Sequence, residues 1–242
     1  MSTAINPPNP PQIFPNTNQQ QQTGLLHNEE DPISIFTLNA NGLYKTNSPN
    51  FTEFKLTDDL KQRINEASII CISDTHLNSF EKERLADTFG EHTLFATETQ
   101  RKRAGTAILL KKDVWESEPK HQTTESGFTR ERSRQEDGPR FNILTVKRKK
   151  SNEESIIAAV YGPTASNKLD FMRKFIVKIR EHKRRALNAT IVIAGDLNLH
   201  LDRIQQTTLA QRELMAAMED LNLIDAYRAV NPHKKGYTYW VW

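Results

Sequence analysis

Short apolar runs, each closing on polar residues, recur along the chain. Ile33-Ser34-Ile35-Phe36-Thr37-Leu38 is β-rich and stops at the turn-like cluster Asn39-Ala40-Asn41-Gly42. Ser68 to Ile72 reads as a buried strand and stops at Ser73-Asp74-Thr75-His76. Ala104 to Leu110 is another strand, and residues 92–96 form a short one. Phe141 to Val146 and Ser155 to Tyr161 make a hairpin pair around the basic turn 147–154. Thr190-Ile191-Val192-Ile193-Ala194 is a buried strand that runs into Gly195-Asp196-Leu197-Asn198. Helical spacing is clearest at Leu169, Met172, Ile176 and Ile179, and again at Leu214, Met218 and Leu221 within 207–221. Residues 55–66 and 81–89 are weaker helices. The polar stretch 116–140, with Gly127, Gly138 and Pro139, reads as a long surface loop or a pair of irregular strands. Strands outnumber helices, and single strands separate the two long helices. The pattern predicts an α/β sandwich with sheets at the centre and helices outside.

Composition changes the picture at the N-terminus. The 242 residues are 36% hydrophobic and 26% charged, which suits a soluble domain but is lean in apolar residues. Part of the deficit lies in residues 1–30, with Pro7-Pro8, Pro10-Pro11 and the run Gln19 to Gln22. Such a segment cannot bury enough surface to offset its ordering entropy, so it is expected to be a disordered tail, with the domain spanning 31–242. It has neither the basic start nor the apolar stretch of a signal peptide. No run approaches the roughly 18–20 apolar residues of a membrane span, so no membrane is expected as a partner. The single cysteine, Cys71, stands inside an apolar run and makes no internal disulfide. That fits a reducing compartment, cytosol or nucleus, with Cys71 as a core residue rather than a nucleophile.

The net charge is +3, and the first 30 residues contain Glu29, Glu30 and no lysine or arginine. The remainder is therefore more basic than the whole. Clusters at Arg101-Lys102-Arg103, Lys147 to Lys150 and Lys183-Arg184-Arg185 could meet phosphates, or could simply be solvated faces.

The strand ends carry the chemistry. Asn39, Asp74, Tyr161 and the pair Asp196/Asn198 each follow an apolar strand, which places them on sheet rims. Asp196 and Asn198 are two apart, so an extended segment would aim both to one side. A carboxylate beside a carboxamide can hold a hard cation through oxygen or orient a water against phosphorus. Taken singly, each could equally be a turn former, and His76 reads as a hydrogen-bonded loop histidine. His200 has no second histidine or cysteine at ligand spacing, which argues against zinc. No P-loop, Gly-x-Ser-x-Gly or dinucleotide fingerprint is present.

In this order the motifs resemble the endonuclease/exonuclease/phosphatase superfamily, with its DNase I-like fold. The resemblance rests on Thr37 to Leu43, Ile72 to Leu77, Ala104 to Leu109, Val160-Tyr161-Gly162-Pro163 and Gly195-Asp196-Leu197-Asn198. The stretch Leu201-Asp202-Arg203, Asp220 to Arg228, Pro232 and Tyr237-Thr238-Tyr239 is similar to the apurinic-type endonuclease domain of LINE-type retrotransposons, which nicks chromosomal DNA to prime reverse transcription. The resemblance implies a four-layered α/β sandwich of two central sheets flanked by helices, lacking its last strands. It implies Asn39 and Asp74 in a metal shell, Tyr161 on the scissile phosphate, Asp196 on the attacking water, and Asn198 on phosphate or metal. Thr238, Arg101, Arg103 and Asn41 would face DNA. The implied ion is Mg²⁺, with Mn²⁺ in its place, since every ligand is an oxygen donor. DNA is the implied partner of a monomer, in the nucleus or cytoplasm, and a reverse transcriptase region of the same polyprotein stays open.

Two departures temper the expectation. The second motif has Asp74 where the family has Glu, shorter by ~1.3–1.5 Å. Weaker metal binding is expected, and Asp74→Glu should keep or raise activity. The family's late Asp strand and Ser-Asp-His motif would also follow after Trp242; His233 lacks that motif. The chain alone is therefore expected to be inactive or nearly so, and marginally stable. A non-catalytic nucleic-acid-binding remnant and a phosphatase on small phosphoesters remain the alternatives.

Overall fold

The computed structural model describes residues 32–48, 51–99, 104–125, 138–164, 167–199 and 207–232. The tail 1–30 lies outside them. In chain order the elements are β1 (Ile35–Asn39), β2 (Tyr44–Ser48), β3 (Phe51–Phe54), α1 (Asp58–Glu66), β4 (Ile69–Ser73), α2 (Ser79–Thr88) and β5 (His92–Ala96). Next come β6 (Thr106–Lys111), β7 (His121–Thr124), β8 (Phe141–Lys147), β9 (Glu154–Tyr161), α3 (Lys168–Arg185), β10 (Thr190–Asp196), α4 (Leu209–Asp220) and α5 (Ala226–Val230).

Capping sets the helix starts. Helix α1 begins at Asp58 because the Thr57 hydroxyl accepts from the Leu60 amide. A capping box of Asn78 and Glu81 starts α2 two residues earlier than its periodicity suggests, and Thr208 with Gln211 does the same work for α4. Strand β6 begins at Thr106, not Ala104, because Ala104 (φ 57°) and Gly105 (φ 94°) are left-handed.

Among the described residues the strands form two four-stranded sheets, ordered β1-β4-β6-β5 and β10-β9-β8-β7, and the small hairpin β2-β3. Both large sheets follow one plan. An edge strand runs parallel to its neighbour (β1 on β4, β10 on β9) and the remaining pairs are antiparallel. The C-terminal ends of β1, β4, β9 and β10 thus share one rim with the starts of β6 and β8.

Alternation along the strands sorts their side chains into layers. Ile70, Ile72, Ala107 and Leu109 pack with Ile64 of α1 and with Leu85 and Phe89 at α2. Ile69, Cys71, Ile108 and Leu110 instead meet Leu144, Val146, Ile157 and Ala159 between the sheets, around the buried Trp115. On the far side Ile143, Ile156, Ala158 and Val160 pack on Phe171, Met172, Phe175, Ile176 and Ile179 of α3, with Leu214 of α4 beyond. The order helices, sheet, sheet, helices is the expected four-layered sandwich.

Two of the basic clusters are removed from the rim that carries the strand-end polar residues. Lys147 to Lys150 sit at the opposite end of β9, roughly 25 Å away over its eight residues. Lys183 to Arg185 close the 18-residue α3, about 27 Å from its start. There Lys149 donates to the Lys112 carbonyl and Lys183 to the Ala189 carbonyl, so each also has a local role. Arg101 to Arg103 lie outside the described residues.

Candidate active site

Strand parity decides which residues look into the gap between the sheets. Phe36 and Leu38 pack toward the helices, so Asn39 points the other way. Ile191 and Ile193 pack with the α3 cluster while Ala194 joins the layer between sheets, so Asp196 faces inward. Ile157 and Ala159 do likewise, and Tyr161 continues their row.

The inward residues meet across the gap. Asn39 Nδ2 donates to Asp196 Oδ2 at 2.8 Å, joining the ends of β1 and β10. The Tyr161 hydroxyl donates to Asp74, joining β9 to the segment after β4. Burial, with the adjacent Asp74 carboxylate, pushes the Tyr161 phenol up to about 12. Asp74 is itself buried, and its Oδ1 lies 2.8 Å from His76 Nε2.

Asn198 departs from the extended geometry expected of it. Its φ is 51°, a left-handed conformation that Asn tolerates. The chain therefore turns back: the Asn198 amide donates to Asp196 Oδ1 at 2.8 Å, and its Nδ2 to the Gly162 carbonyl at 2.8 Å. This holds Asn198 beside the end of β9 rather than parallel to Asp196. The close approach needs glycine near both strand ends, Gly195 within β10 and Gly162 just after β9. A Cβ on Gly162 would stand 2.2 Å from the Leu197 carbonyl oxygen, and one on Gly195 (φ 128°) 2.1 Å from that of Val160.

Asn41 lies at the edge of this cluster, its amide donating to Asn39 Oδ1 at 3.2 Å and its carbonyl accepting from Lys55 Nζ at 2.7 Å. Thr238, Arg101 and Arg103 fall outside the described residues, as do His200 and His233. The structure thus brings together Asn39, Asn41, Asp74, Tyr161, Asp196 and Asn198.

Three cations that the sequence reading passed over also stand here. Lys55 is one. Lys168 Nζ donates to the Asn198 carbonyl at 2.7 Å. The Arg140 guanidinium lies 5.3 Å from the centre of the Tyr161 ring and contacts the Tyr161 and Gly162 carbonyls. Arg140 could have been found from the hairpin: pairing Phe141 with Val160 puts the preceding residue beside Tyr161. Lys55 and Lys168 carry no local signal.

Comparison with known proteins settles the ancestry. The pattern of the endonuclease/exonuclease/phosphatase family matches residues 36–242. The chain belongs to that family. Among solved structures it is similar to the AP endonuclease LMAP from Leishmania major, at 17% identity and TM-score 0.56, covering 86% of this chain and 73% of that one. An AP endonuclease from Archaeoglobus fulgidus is similar at 15% identity and TM-score 0.54, covering 87% and 79%. A mannosyl-6-phosphatase from Bacteroides thetaiotaomicron matches at 11% identity and TM-score 0.52, covering 76% and 70%. These likenesses establish the DNase I-like fold; at such identities they do not choose between a nuclease and a phosphatase. Among the described residues no helix is long and apolar enough to cross a membrane.

Proposed function

We propose that this chain carries the phosphodiester-cleaving site of a DNA-nicking endonuclease of a LINE-type retroelement, with Mg²⁺ or Mn²⁺ as its ion and with weak activity in the chain by itself. The observation that carries the reading is the hydrogen bond from Asn39 to Asp196, which ties the two sheets at the rim where Asp74, Tyr161 and Asn198 also converge. The motif order, and the similarity of residues 201–239 to retroelement endonucleases, support the choice of DNA over a small phosphoester.

The donor set fits a hard cation. Among the described residues no three His, Cys, Asp or Glu side chains cluster as a metal site. What the rim offers is two carboxylates and two carboxamides. Magnesium commonly takes one or two carboxylates and keeps several waters, so this set suffices. Asn39 and Asp74 would hold the ion. When bound, it would neutralise charge building on the phosphoryl oxygens and the leaving alkoxide.

The chain's own groups supply the remainder. Asp196 orients a water and takes its proton as the water oxygen bonds to phosphorus and the P–O3′ bond breaks. The departing 3′ oxygen takes a proton from solvent. Asn198 and the Tyr161 hydroxyl hold the phosphate; the phenol stays protonated at neutral pH and turns its one O–H from Asp74 to a phosphate oxygen when substrate binds. Lys55, Lys168 and Arg140 surround the position with positive charge.

Supercoiled plasmid incubated with an excess of the chain and Mg²⁺ or Mn²⁺ should turn slowly into nicked circles, with that weak nicking lost in EDTA and in Asp196→Ala. Salt-dependent DNA binding without nicking would replace this reading with a binding remnant. Hydrolysis of sugar phosphates with plasmid left intact would make the chain a phosphatase.

A further inference from the structure

The segment Asp74-Thr75-His76 is held in a conformation that its sequence does not favour. Asp74 (φ 55°) and His76 (φ 56°) are both left-handed. The neighbours impose it. On one side the Gly42 and Leu43 amides donate to the Asp74 and Thr75 carbonyls at 2.7 and 3.1 Å. On the other the Thr75 and His76 amides donate to the Gly105 and Ala104 carbonyls at 3.2 and 3.0 Å. Strain that the surroundings over-determine in this way is a mark of a positioned functional group.

The glycines on both sides make room for it. A Cβ on Gly42 would fall 2.9 Å from His76 Nδ1, and one on Gly105 would fall 2.6 Å from Thr75 Oγ1. The imidazole is thus seated against Gly42 while its Nε2 meets Asp74 Oδ1 at 2.8 Å. Asp74 has the shorter of the two acidic side chains, and nothing in its own length aims it across the gap. The strained backbone and the imidazole do so together, with the Tyr161 hydroxyl donating to the same carboxylate.

We propose that His76 is a positioning residue that fixes the Asp74 carboxylate for metal binding, so that strap, histidine and short carboxylate act as one unit built around Asp rather than Glu. This rests on the reading of the rim as a metal centre. An outer partner of a ligating carboxylate is worth about 10–100-fold in metal affinity.

The test is Mn²⁺ binding to the full chain, followed by the EPR signal of the free ion, with melting temperature measured alongside. His76→Asn tolerates the left-handed backbone but is too short to reach Asp74. His76→Gln reaches about as far as the imidazole. Binding should weaken about tenfold in His76→Asn and recover in His76→Gln, with melting temperatures unchanged. Equal binding by all three proteins, or a loss that follows a fall in melting temperature, overturns the inference and leaves the metal centre standing. A wild-type chain that takes up no manganese overturns both.

Discussion

Asp74 follows β4, a strand buried along its whole length between β1 and β6, whereas Asp196 closes β10, whose side chains are half-buried or exposed and which is an edge strand among the described residues. The two carboxylates reach the same rim by different means. Asp74 is aimed by its backbone (left-handed residues, four amide-to-carbonyl bonds and two glycines that leave space) together with the His76 imidazole and the Tyr161 hydroxyl. Asp196 is aimed by its partners, Asn39 Nδ2 on one oxygen and the Asn198 amide on the other. One is buried; the other is half-buried and held by two hydrogen bonds. That division suits a site in which one carboxylate grips an ion and the other must meet water and take up its proton.

The largest effect should come from the half-buried carboxylate, Asp196. Asp196→Asn keeps the shape and can still accept from the Asn198 amide, but it loses the bond from Asn39 Nδ2 and cannot take a proton; nicking should fall about 10²–10⁴-fold, while Tm falls by only a few degrees. A loss under tenfold would end the assignment of Asp196 as the base. Next is the backbone that brings β10 against β9. Gly195→Ala sets a Cβ against the Val160 carbonyl at a φ that L residues rarely adopt, and should cost roughly 3 kcal/mol, lowering Tm by on the order of 10 °C. An unchanged Tm would show that the edge yields more easily than the contrast with β4 suggests.

A third effect comes from the outer face of the second sheet. His182 on α3 is buried, with Nδ1 2.7 Å from Thr145 Oγ1 and Nε2 2.9 Å from Thr123 Oγ1. Burial, helped by His121 and Arg185, lowers it from 6.5 to about 4. The unfolded chain therefore binds the proton more readily between those values, and stability should fall by roughly 2–3 kcal/mol as pH drops from 6.5 to 4. Glu125 acts in the opposite sense: burial raises its carboxyl to about 7, so its contribution is lost as pH rises through that value. Urea titrations of the wild type and His182→Gln at each pH separate the two, since the variant should lose only the histidine's slope.

The smallest effect tests the sheltered carboxylate. The sequence alone suggests that Asp74→Glu keeps or raises activity, because it restores the family's residue. The proposed role of His76 predicts the opposite, because the strap and imidazole would then be set for the shorter side chain. Asp74→Glu should weaken Mn²⁺ affinity about tenfold. Equal or tighter binding would mean that Asp74 is placed no more rigidly than Asp196.

Much of the sandwich was legible because its strands are continuous apolar runs and α3 keeps a clean apolar stripe. Phe171 and Phe175, fully buried beside that stripe, widen it without altering its period. The hairpin β2-β3 was not legible. Lys45, Thr46, Asn47 and Ser48 show no alternation, and what identifies the pairing is the contact of the Tyr44 and Phe54 rings at 5.0 Å. In the site, Asn39, Asp74, Tyr161 and Asp196 were readable as strand ends. The turned-back Asn198 and the seating of His76 were not, because both depend on positive φ angles set by loops from other strands.

Cys71, the only cysteine of the chain, lies fully buried in the layer between the two sheets, where burial pushes its thiol up to about 12. In the closed sandwich it is chemically silent. A maleimide can reach it only when the sheets part, so the labelling rate is a clock for that opening. One thiol, already at the centre of the molecule, thus reports how often the two halves of the site come apart, without any label having to be engineered in.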